Sequence, residues 1–226
     1  MNTTAIAAPA AAARVIPGWL PLVQGIAIVT MAIDHVSLWL PAGDVSPILR
    51  VTLGRVALPL FCFMVAWHAL HTADARRYAD RILTIALLAQ LPFMALHGQP
   101  LGNICFTLAA AAYLAAYYRH RDPWALMIGA ALAIATFHVE YGPLALGLIL
   151  AFMLAIRHPI TWLVPLIGWP LAQYGLSLSG VSAFLGVCLL LALVSTHVPP
   201  IHLPRWLTRW FYPAHLGGIW LLRWLV

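Results

Sequence analysis

Charged side chains are scarce in this 226-residue chain, and lysine is absent from it. Only 8% of the residues are charged and 63% are hydrophobic, whereas a soluble globular domain is about half apolar and about a quarter charged. So few charges cannot cover a surface that faces water, which excludes a soluble globule, a disordered chain and a nucleic-acid-binding surface. The three cysteines are too few for a disulfide scaffold. The composition therefore predicts a protein whose solvent is mostly lipid.

Apolar stretches separated by short loops predict an all-α, polytopic integral membrane helix bundle. About nine transmembrane helices fit the pattern, and eight or ten are also compatible with it. Residues 1–18 are predicted to be a short cytoplasmic tail, and residues 19–226 a single transmembrane domain. The predicted helices span residues 19–40, 50–71, 78–97, 104–118, 123–139, 142–157, 160–176, 180–197 and 207–225.

The arginines predict how this bundle is oriented in the membrane. If the tail that carries Arg14 is cytoplasmic and the sides alternate, nine of the 12 basic residues face the cytoplasm. Arg50, Arg55 and Arg223 then lie on the outer side. Cytoplasmic loops carry an excess of positive charge in membrane proteins. We therefore expect a multi-pass protein with a cytoplasmic N-terminus.

Five polar residues are predicted to lie at one depth near the outer leaflet. Ionisable groups are costly within membrane spans and usually mark function. A histidine beside a carboxylate is suited to proton transfer. A structural ion-pair network that joins the helices explains the same residues, so both interpretations stay open. The five are Asp34, His35, Arg55, His138 and Glu140.

A cytoplasmic segment rich in arginine follows the second predicted span. Arg76, Arg77 and Arg81 are suited to binding phosphates, because a guanidinium pairs with phosphate oxygens in a bidentate way. Their positive charge also has a purely topological explanation. Nearby, His68 and His71 share one helix face, but their surroundings favour an interfacial role over a metal site. We expect no bound metal.

Short motifs follow one another in a definite order along nearly the whole chain. They are Met31-Ala-Ile-Asp-His35, Leu53-Gly-Arg-Val-Ala-Leu-Pro-Leu-Phe61, His71-Thr72, Arg77-Tyr78, Asp80-Arg81, Ala89-Gln-Leu-Pro-Phe93, Asn103-Ile-Cys-Phe-Thr-Leu108, Glu140-Tyr-Gly142 and Phe211-Tyr-Pro-Ala-His-Leu216. In this order they resemble the TraX family, membrane proteins of conjugative systems that are associated with N-terminal acetylation of the pilus subunit. The chain departs from the family pattern at Leu58, at Glu140 and at Thr72-Ala73-Asp74.

The resemblance implies a membrane-embedded N-acetyltransferase that is distantly like the multi-span acyltransferases. Acetyl-CoA would be the co-substrate, a membrane-anchored pilin subunit the partner, and the bacterial inner membrane the location. The resemblance implies no nucleic-acid partner and leaves the oligomeric state open. His35 would be the general base, oriented by Asp34 or Glu140, and Arg55 would stabilise the oxyanion.

The resemblance also implies where the donor binds. Arg76, Arg77 and Arg81 would hold the CoA phosphates beside Tyr78. Asn103 and Thr107 would line the path of the pantetheine arm. His138, His215 and His71 would have a substrate-contacting or a structural role. Two alternatives remain at this point: another pilin-processing enzyme, which cleaves or cyclises a peptide, and a non-enzymatic pilin chaperone or scaffold.

Overall fold

A computed structural model describes residues 17–40, 43–199 and 201–225. Within these ranges the chain forms α-helices joined by short loops, and the prediction of an all-helical fold is confirmed. The predicted tail that carries Arg14 lies outside the described residues, apart from its last two. The helices are α1 (Trp19–Trp39), α2 (Val45–Val51), α3 (Gly54–His71), α4 (Ala75–His97), α5 (Cys105–His120), α6 (Pro123–Ala135), α7 (Gly142–Arg157), α8 (Trp169–Tyr174), α9 (Leu178–Ser195) and α10 (Arg205–Leu225).

The predicted helix over 160–176 is the one that differs most from the structure. It is divided into a 3₁₀ turn at Pro159–Trp162, a π-helical turn at Val164–Gly168 and the short α8. Prolines at positions 159, 165 and 170 explain the division, because each lacks the N–H that a continuous α-helix needs. The other predicted bounds agree with the structure to within a few residues, except that α2 precedes α3 as a separate helix.

Four helical segments among the described residues are long and apolar enough to cross a membrane. They are Trp19–Trp39, Val45–His71, which joins α2 and α3, Ala75–His97 and Leu178–Ser195. Pro123–His138 and Gly142–Arg157 are apolar but shorter. The expected number of about nine spans therefore stays a prediction, whereas the membrane character of the chain is supported by these four segments.

Helix α3 lies at the centre of the packing and contacts α1, α5, α7 and α9. Phe63 of α3 meets Phe152 of α7 edge to face, with ring centroids 5.5 Å apart. Helix α5 packs between α4 and α6 through a run of fully buried alanines, 109–112. Small side chains let helices approach closely, which is how helix packing is achieved where lipid rather than water is the solvent.

Contacts between helix ends place most of the arginines at one end of the bundle. Arg119, near the C-terminus of α5, donates to the carbonyl of Ala69, near the C-terminus of α3. Arg76, at the N-terminus of α4, donates to Asp122, which precedes α6. Arg223, near the C-terminus of α10, donates to a carbonyl near the C-terminus of α4, at the opposite end. We call the end that holds Arg76 and Arg119 the arginine-rich end; α4 and α10 both begin there.

Candidate functional site

A cavity of about 500 Å³ lies between α1, α3, α4, α5 and α10. Along α3 its lining extends from Gly54 to His68, about 20 Å at the helical rise of 1.5 Å per residue. The middle of the cavity is apolar, with Ile28, Phe61 and Ile85 among the lining side chains. Polar groups line both ends. The cavity thus connects two chemically different sites through an apolar passage.

One end of the cavity is built where α1 and α3 approach each other closely. Asp34 lies near the end of α1, and Gly54 begins α3. A Cβ atom at Gly54 would lie 2.5 Å from Oδ1 of Asp34, closer than unbonded atoms can approach. Only glycine therefore allows the carboxylate to lie against the start of α3. We call this the carboxylate end, formed by Asp34, His35, Glu140, Tyr141 and Tyr212.

Arg55 contacts two residues of the carboxylate end, Asp34 and Tyr141, without lining the cavity itself. Its guanidinium lies 3.3 Å from Oδ1 of Asp34 and donates to the hydroxyl of Tyr141 at 3.1 Å. Its Cζ atom also lies 5.7 Å from the ring centroid of Tyr174. Arg55 is buried and is not among the residues that line the cavity. The structure therefore places this arginine behind the groups that face the cavity, as their charged support.

His35 is hydrogen-bonded to a second histidine, His215 of α10. Nδ1 of His35 and Nε2 of His215 are 2.6 Å apart. The two rings are parallel within 3°, with centroids 4.9 Å apart; with so short an N···N distance, the rings meet edge to edge in a common plane. Nδ1 of His215 contacts the carbonyl of Phe211 at 2.8 Å.

This chain of hydrogen bonds determines where the protons lie. A carbonyl oxygen only accepts, so Nδ1 of His215 carries a hydrogen and Nε2 of the neutral ring accepts. Nδ1 of His35 must then donate to it, which leaves Nε2 of His35 with its lone pair. His35 is among the residues that line the cavity, and its Nε2 is the ring nitrogen that this hydrogen bonding leaves without a hydrogen. Among the described residues, the hydrogen-bond partner of Nδ1 of His35 is His215, and not Asp34 or Glu140, which were predicted to orient the ring.

The loop that carries Glu140 and Tyr141 is fixed by backbone pairing. Gly102 donates to the carbonyl of His138 and accepts from the N–H of Glu140, both at 2.9 Å. A Cβ at Gly102 would lie 2.8 Å from Val139, so the pairing requires a glycine there. Tyr141 then adopts a left-handed backbone with φ of 62°, which costs a non-glycine residue about 1 kcal/mol or more. Such strain is common where a side chain must be aimed.

Glu140 is an incompletely satisfied carboxyl group in this loop. Its Oε2 atom is buried and has no hydrogen-bond partner among the described residues. Burial, with repulsion from Asp34, raises the pKa of Glu140 from about 4.5 to about 7, against the attraction of Arg55. The carboxyl therefore exchanges its proton near neutral pH, which suits a group that handles charge during a reaction.

The other end of the cavity is cationic. Arg81 of α4 and Arg205 and Arg209 of α10 line it. The acidic residues of the lining, Asp34 and Glu140, are both at the carboxylate end, so no carboxylate neutralises these guanidiniums within the lining. Three like charges at one opening repel one another, and α10 begins there with its positive dipole end. This arrangement favours a ligand with several negative charges.

Two of the three arginines predicted to hold phosphates lie elsewhere. Arg76 is paired with Asp80 at 3.0 Å and with Asp122 at 2.8 Å, and neither it nor Arg77 lines the cavity. Arg77 has an exposed side chain. Because α4 turns through about 100° per residue, Arg76 lies about 140° around the helix from Arg81, whereas Arg77 lies one turn before Arg81, at the exposed N-terminal end of the helix. The expectation of one site for all three is therefore corrected; Tyr78, also predicted, does line the cavity.

Asn103 and Thr107 are fully buried but do not line the cavity. Asn103 donates to the carbonyl of Ala86 and to Gln90, both at 2.8 Å, and its own oxygen accepts from the N–H of Cys105. These bonds tie the start of α5 to α4. Oγ1 of Thr107 has no hydrogen-bond partner among the described residues. Because neither side chain lines the cavity, the cavity does not support the pantetheine path expected along these two residues, and that path stays a prediction.

Two predicted histidines also lie apart from the carboxylate end. His138 is exposed and does not line the cavity, although its carbonyl takes part in the pairing with Gly102. The 3₁₀ turn that contains it directs its ring away, so its predicted place in the cluster is corrected. His71 stacks on Trp67 with ring centroids 3.8 Å apart and bonds that residue's carbonyl. The described residues contain no group of three or more His, Cys, Asp or Glu that could hold a metal ion.

Four residues that matter at the two ends were not predicted as site residues: Tyr141, Arg205, Arg209 and Tyr212. A signal for three of them was present in the sequence. Arg205, Arg209 and Tyr212 have the spacing i, i+4 and i+7, which places them on one face of a helix. No comparable pattern indicates Tyr141, since its role depends on the backbone pairing of a loop.

The fold and the cavity define a helical membrane protein with a buried histidine pair at one end of an internal passage and a cationic opening at the other. Comparison with known families gives the particular family. The family model described as TraX protein matches residues 20–223. The chain therefore belongs to the TraX family, and the resemblance found in the sequence is confirmed.

A curated relative carries a related description. The chain is similar to the probable fimbrial assembly protein FimC, serogroup H1, of Dichelobacter nodosus, with 29% identity over 143 residues. The match covers 56% of this chain, and the chain spans 59% of the length of that relative. No solved structure matches the chain.

Proposed function

We propose that this protein is an acetyltransferase that moves an acetyl group from acetyl-CoA to the N-terminal amine of a pilin subunit. The observation that carries the proposal is the cavity, because it joins an unneutralised cationic opening to a buried histidine through an apolar passage. Membership of the TraX family and similarity to a protein described as acting in fimbrial assembly support a role in pilus biogenesis. The two ends match what a phosphate-bearing donor and an amine acceptor require.

The donor binds with its phosphates at the cationic end. Arg81, Arg205 and Arg209 supply guanidinium forks for phosphate oxygens. The uncharged pantetheine arm then lies along the apolar passage and presents the thioester at the carboxylate end. The arginine-rich end faces the cytoplasm according to the positive-inside rule, so the donor enters from the cytoplasm. The carboxylate end faces the opposite leaflet, where a pilin anchored in the inner membrane presents its N-terminus.

His35 acts as the general base of the transfer. The amine nitrogen attacks the thioester carbonyl carbon, and its proton passes to Nε2 of His35. The C–S bond then breaks, and the CoA sulfur leaves and receives that proton. The products are the acetylated amine and free CoA thiol. His215 keeps His35 in the tautomer that this transfer needs.

Tyr141 rather than Arg55 is the group that faces the developing oxyanion. Its oxygen accepts from Arg55, so its own hydroxyl hydrogen is available to a ligand in the cavity. The positive charge of Arg55 strengthens this hydrogen as a donor. Loss of one oxyanion donor typically lowers the rate by about 10²–10³. Arg55 supports the reaction through Tyr141 and Asp34.

Equilibrium binding of acetyl-CoA to the purified protein in lipid nanodiscs tests the donor site. The double variant Arg205→Gln/Arg209→Gln weakens binding by about tenfold or more, because each lost charge-assisted bond is worth about 1.5–3 kcal/mol. Arg121→Gln is the matched control, since this arginine caps α5 outside the cavity. Equal affinity of the double variant and wild type would contradict the donor site.

Intact-mass spectrometry of the co-expressed pilin tests the base. His35→Ala leaves acetyl-CoA binding intact, because His35 lies at the end of the cavity remote from the three arginines. The pilin from cells with this variant lacks the mass of an acetyl group, whereas the wild-type protein adds it. A pilin that remains fully acetylated shows that His35 is not the base.

A further inference from the structure

Buried oxygen atoms without hydrogen-bond partners are concentrated at the carboxylate end. Oε2 of Glu140 and the hydroxyl oxygen of Tyr212 are buried and have no hydrogen-bond partner among the described residues. Tyr212 is only 9% exposed, and both residues line the cavity. Asp34 adds a further carboxylate; its Oδ1 lies 3.3 Å from the guanidinium of Arg55 in an ion pair but has no hydrogen-bond partner among the described residues. A buried polar atom without a partner is costly, so these atoms are arranged for a ligand.

The three groups line the same cavity. Glu140 interacts electrostatically with both Asp34 and Tyr212. They come from α1, from the loop between α6 and α7, and from α10, three parts of the chain that are distant in sequence. Their convergence on one part of the cavity wall is therefore a property of the fold and not of a local acidic run.

The chemistry of these groups selects the ligand. Two carboxylates repel phosphate, carboxylate and other anions, so the charged end of the donor is excluded. A hydroxyl brings one donor, too few for several acceptors. A primary ammonium group brings three N–H donors and a positive charge. It therefore satisfies the acceptors and the charge together.

We infer that Glu140, Asp34 and Tyr212 form a binding subsite for a primary ammonium group. The subsite deepens the proposed function, on which it rests for the identity of the amine as that of a peptide N-terminus. It holds the amine in its charged form beside His35. One proton of the ammonium group is released to water before the attack on the thioester, and the proton that the nitrogen loses on attack passes to Nε2 of His35 and then to the CoA sulfur. The carboxylates bind the ammonium group and His35 removes a proton from the attacking nitrogen, which explains why carboxylates and a histidine pair occur together in this site.

The test is equilibrium binding of two peptides to the full chain in lipid nanodiscs, without acetyl-CoA. The probes are an alanine-rich tetrapeptide amide with a free α-amino group and the same peptide with an acetylated N-terminus. The wild-type protein binds the free-amine peptide more tightly than the acetylated one. Glu140→Gln weakens binding of the free-amine peptide by about tenfold to a hundredfold and leaves the acetylated peptide unaffected.

Matched variants separate the subsite from general effects. Asp44→Asn removes the same charge from an exposed position and leaves the preference unchanged. Tyr212→Phe weakens free-amine binding by about fivefold, because a neutral hydrogen bond is worth about 1 kcal/mol. Tyr118→Phe makes the same chemical change at an exposed residue that does not line the cavity, and it has no effect on the preference.

The outcomes distinguish the subsite from the proposed function. Equal binding of both peptides by the wild-type protein, or an unchanged preference in Glu140→Gln, overturns the subsite even if acetyl transfer occurs. A preference that depends on Glu140, in a protein that transfers no acetyl group, supports the subsite and overturns the proposed function. Glutamine fits the same space and glutamate loses no protein hydrogen bond at Oε2, so the variant folds.

Discussion

Replacing Glu140 by glutamine is expected to make the protein more stable, by an amount that depends on pH. Burial raises the pKa of Glu140 from about 4.5 to about 7. In the folded protein this carboxyl therefore holds its proton more tightly than in the unfolded chain. The stability associated with that proton is fully present below pH 4.5 and is lost as the pH rises through 7. At about 1.4 kcal/mol per pH unit, the loss is about 3 kcal/mol.

Glutamine has nearly the same shape and no charge to bury. The free energies of unfolding of Glu140→Gln and wild type are therefore expected to be similar at pH 4.5. As the pH rises, the free energy of unfolding of the variant increasingly exceeds that of the wild type, and the difference reaches about 3 kcal/mol above pH 7. Reversible unfolding of both proteins in mixed detergent micelles, followed by tryptophan fluorescence at several pH values, measures the difference. Taking the difference cancels every other titrating group that the two proteins share.

The result that refutes this reasoning is a difference that does not change with pH. It would mean that the carboxyl is hydrated or paired in the folded protein, so that burial does not perturb it. A variant less stable than wild type at pH 8 would likewise show that Glu140 makes a favourable interaction as an anion. In either case the interpretation of Oε2 of Glu140 as an unsatisfied acceptor at the carboxylate end would have to be abandoned.

Two further predictions concern the packing and the histidine pair. Gly54→Ala is expected to destabilise the protein by about 1–3 kcal/mol, because its Cβ overlaps Asp34, whereas Gly147→Ala, with no neighbour within 4 Å, does not destabilise it; thermal unfolding measures both. His215→Phe should lower kcat for acetyl transfer at least tenfold with little change in the KM for acetyl-CoA, and His215→Gln, whose amide oxygen accepts from His35, should restore part of it. Equal kcat values for the Phe and Gln variants would mean that His215 acts only by filling space.

The sequence was sufficient to predict the helices, because long apolar stretches separated by short loops have few other solutions in lipid. Its errors arose where neighbouring residues share a property but not a face. Arg76, Arg77 and Arg81 were grouped as one basic loop, although Arg76 lies on another side of α4 from Arg81 and is paired with Asp80 and Asp122. The periodic spacing of Arg205 and Arg209 contained the better signal for the cationic end.

The candidate site was predicted in part. The proximity of Asp34 and Arg55 follows from two antiparallel spans joined by a short connection, so topology alone indicated it. The pairing of His35 with His215 links residues 180 positions apart and depends on how α10 packs against α1. No local pattern contains that information. The position of Tyr141 depends likewise on a tertiary contact between two loops.

The apolar middle of the cavity has an electrical consequence. Moving one unit charge across a membrane potential of 100 mV changes its free energy by about 2.3 kcal/mol. The potential drops mainly across the least conducting part of the path that the charge follows. In this protein that part is the passage lined by Ile28, Phe61 and Ile85. In the proposed reaction, the donor keeps its phosphates at the cationic end and only its uncharged arm and acetyl group enter the passage. If the acetyl group is transferred as we propose, the reaction moves no charged part of the donor through the apolar passage, and the same apolar lining opposes the passage of ions.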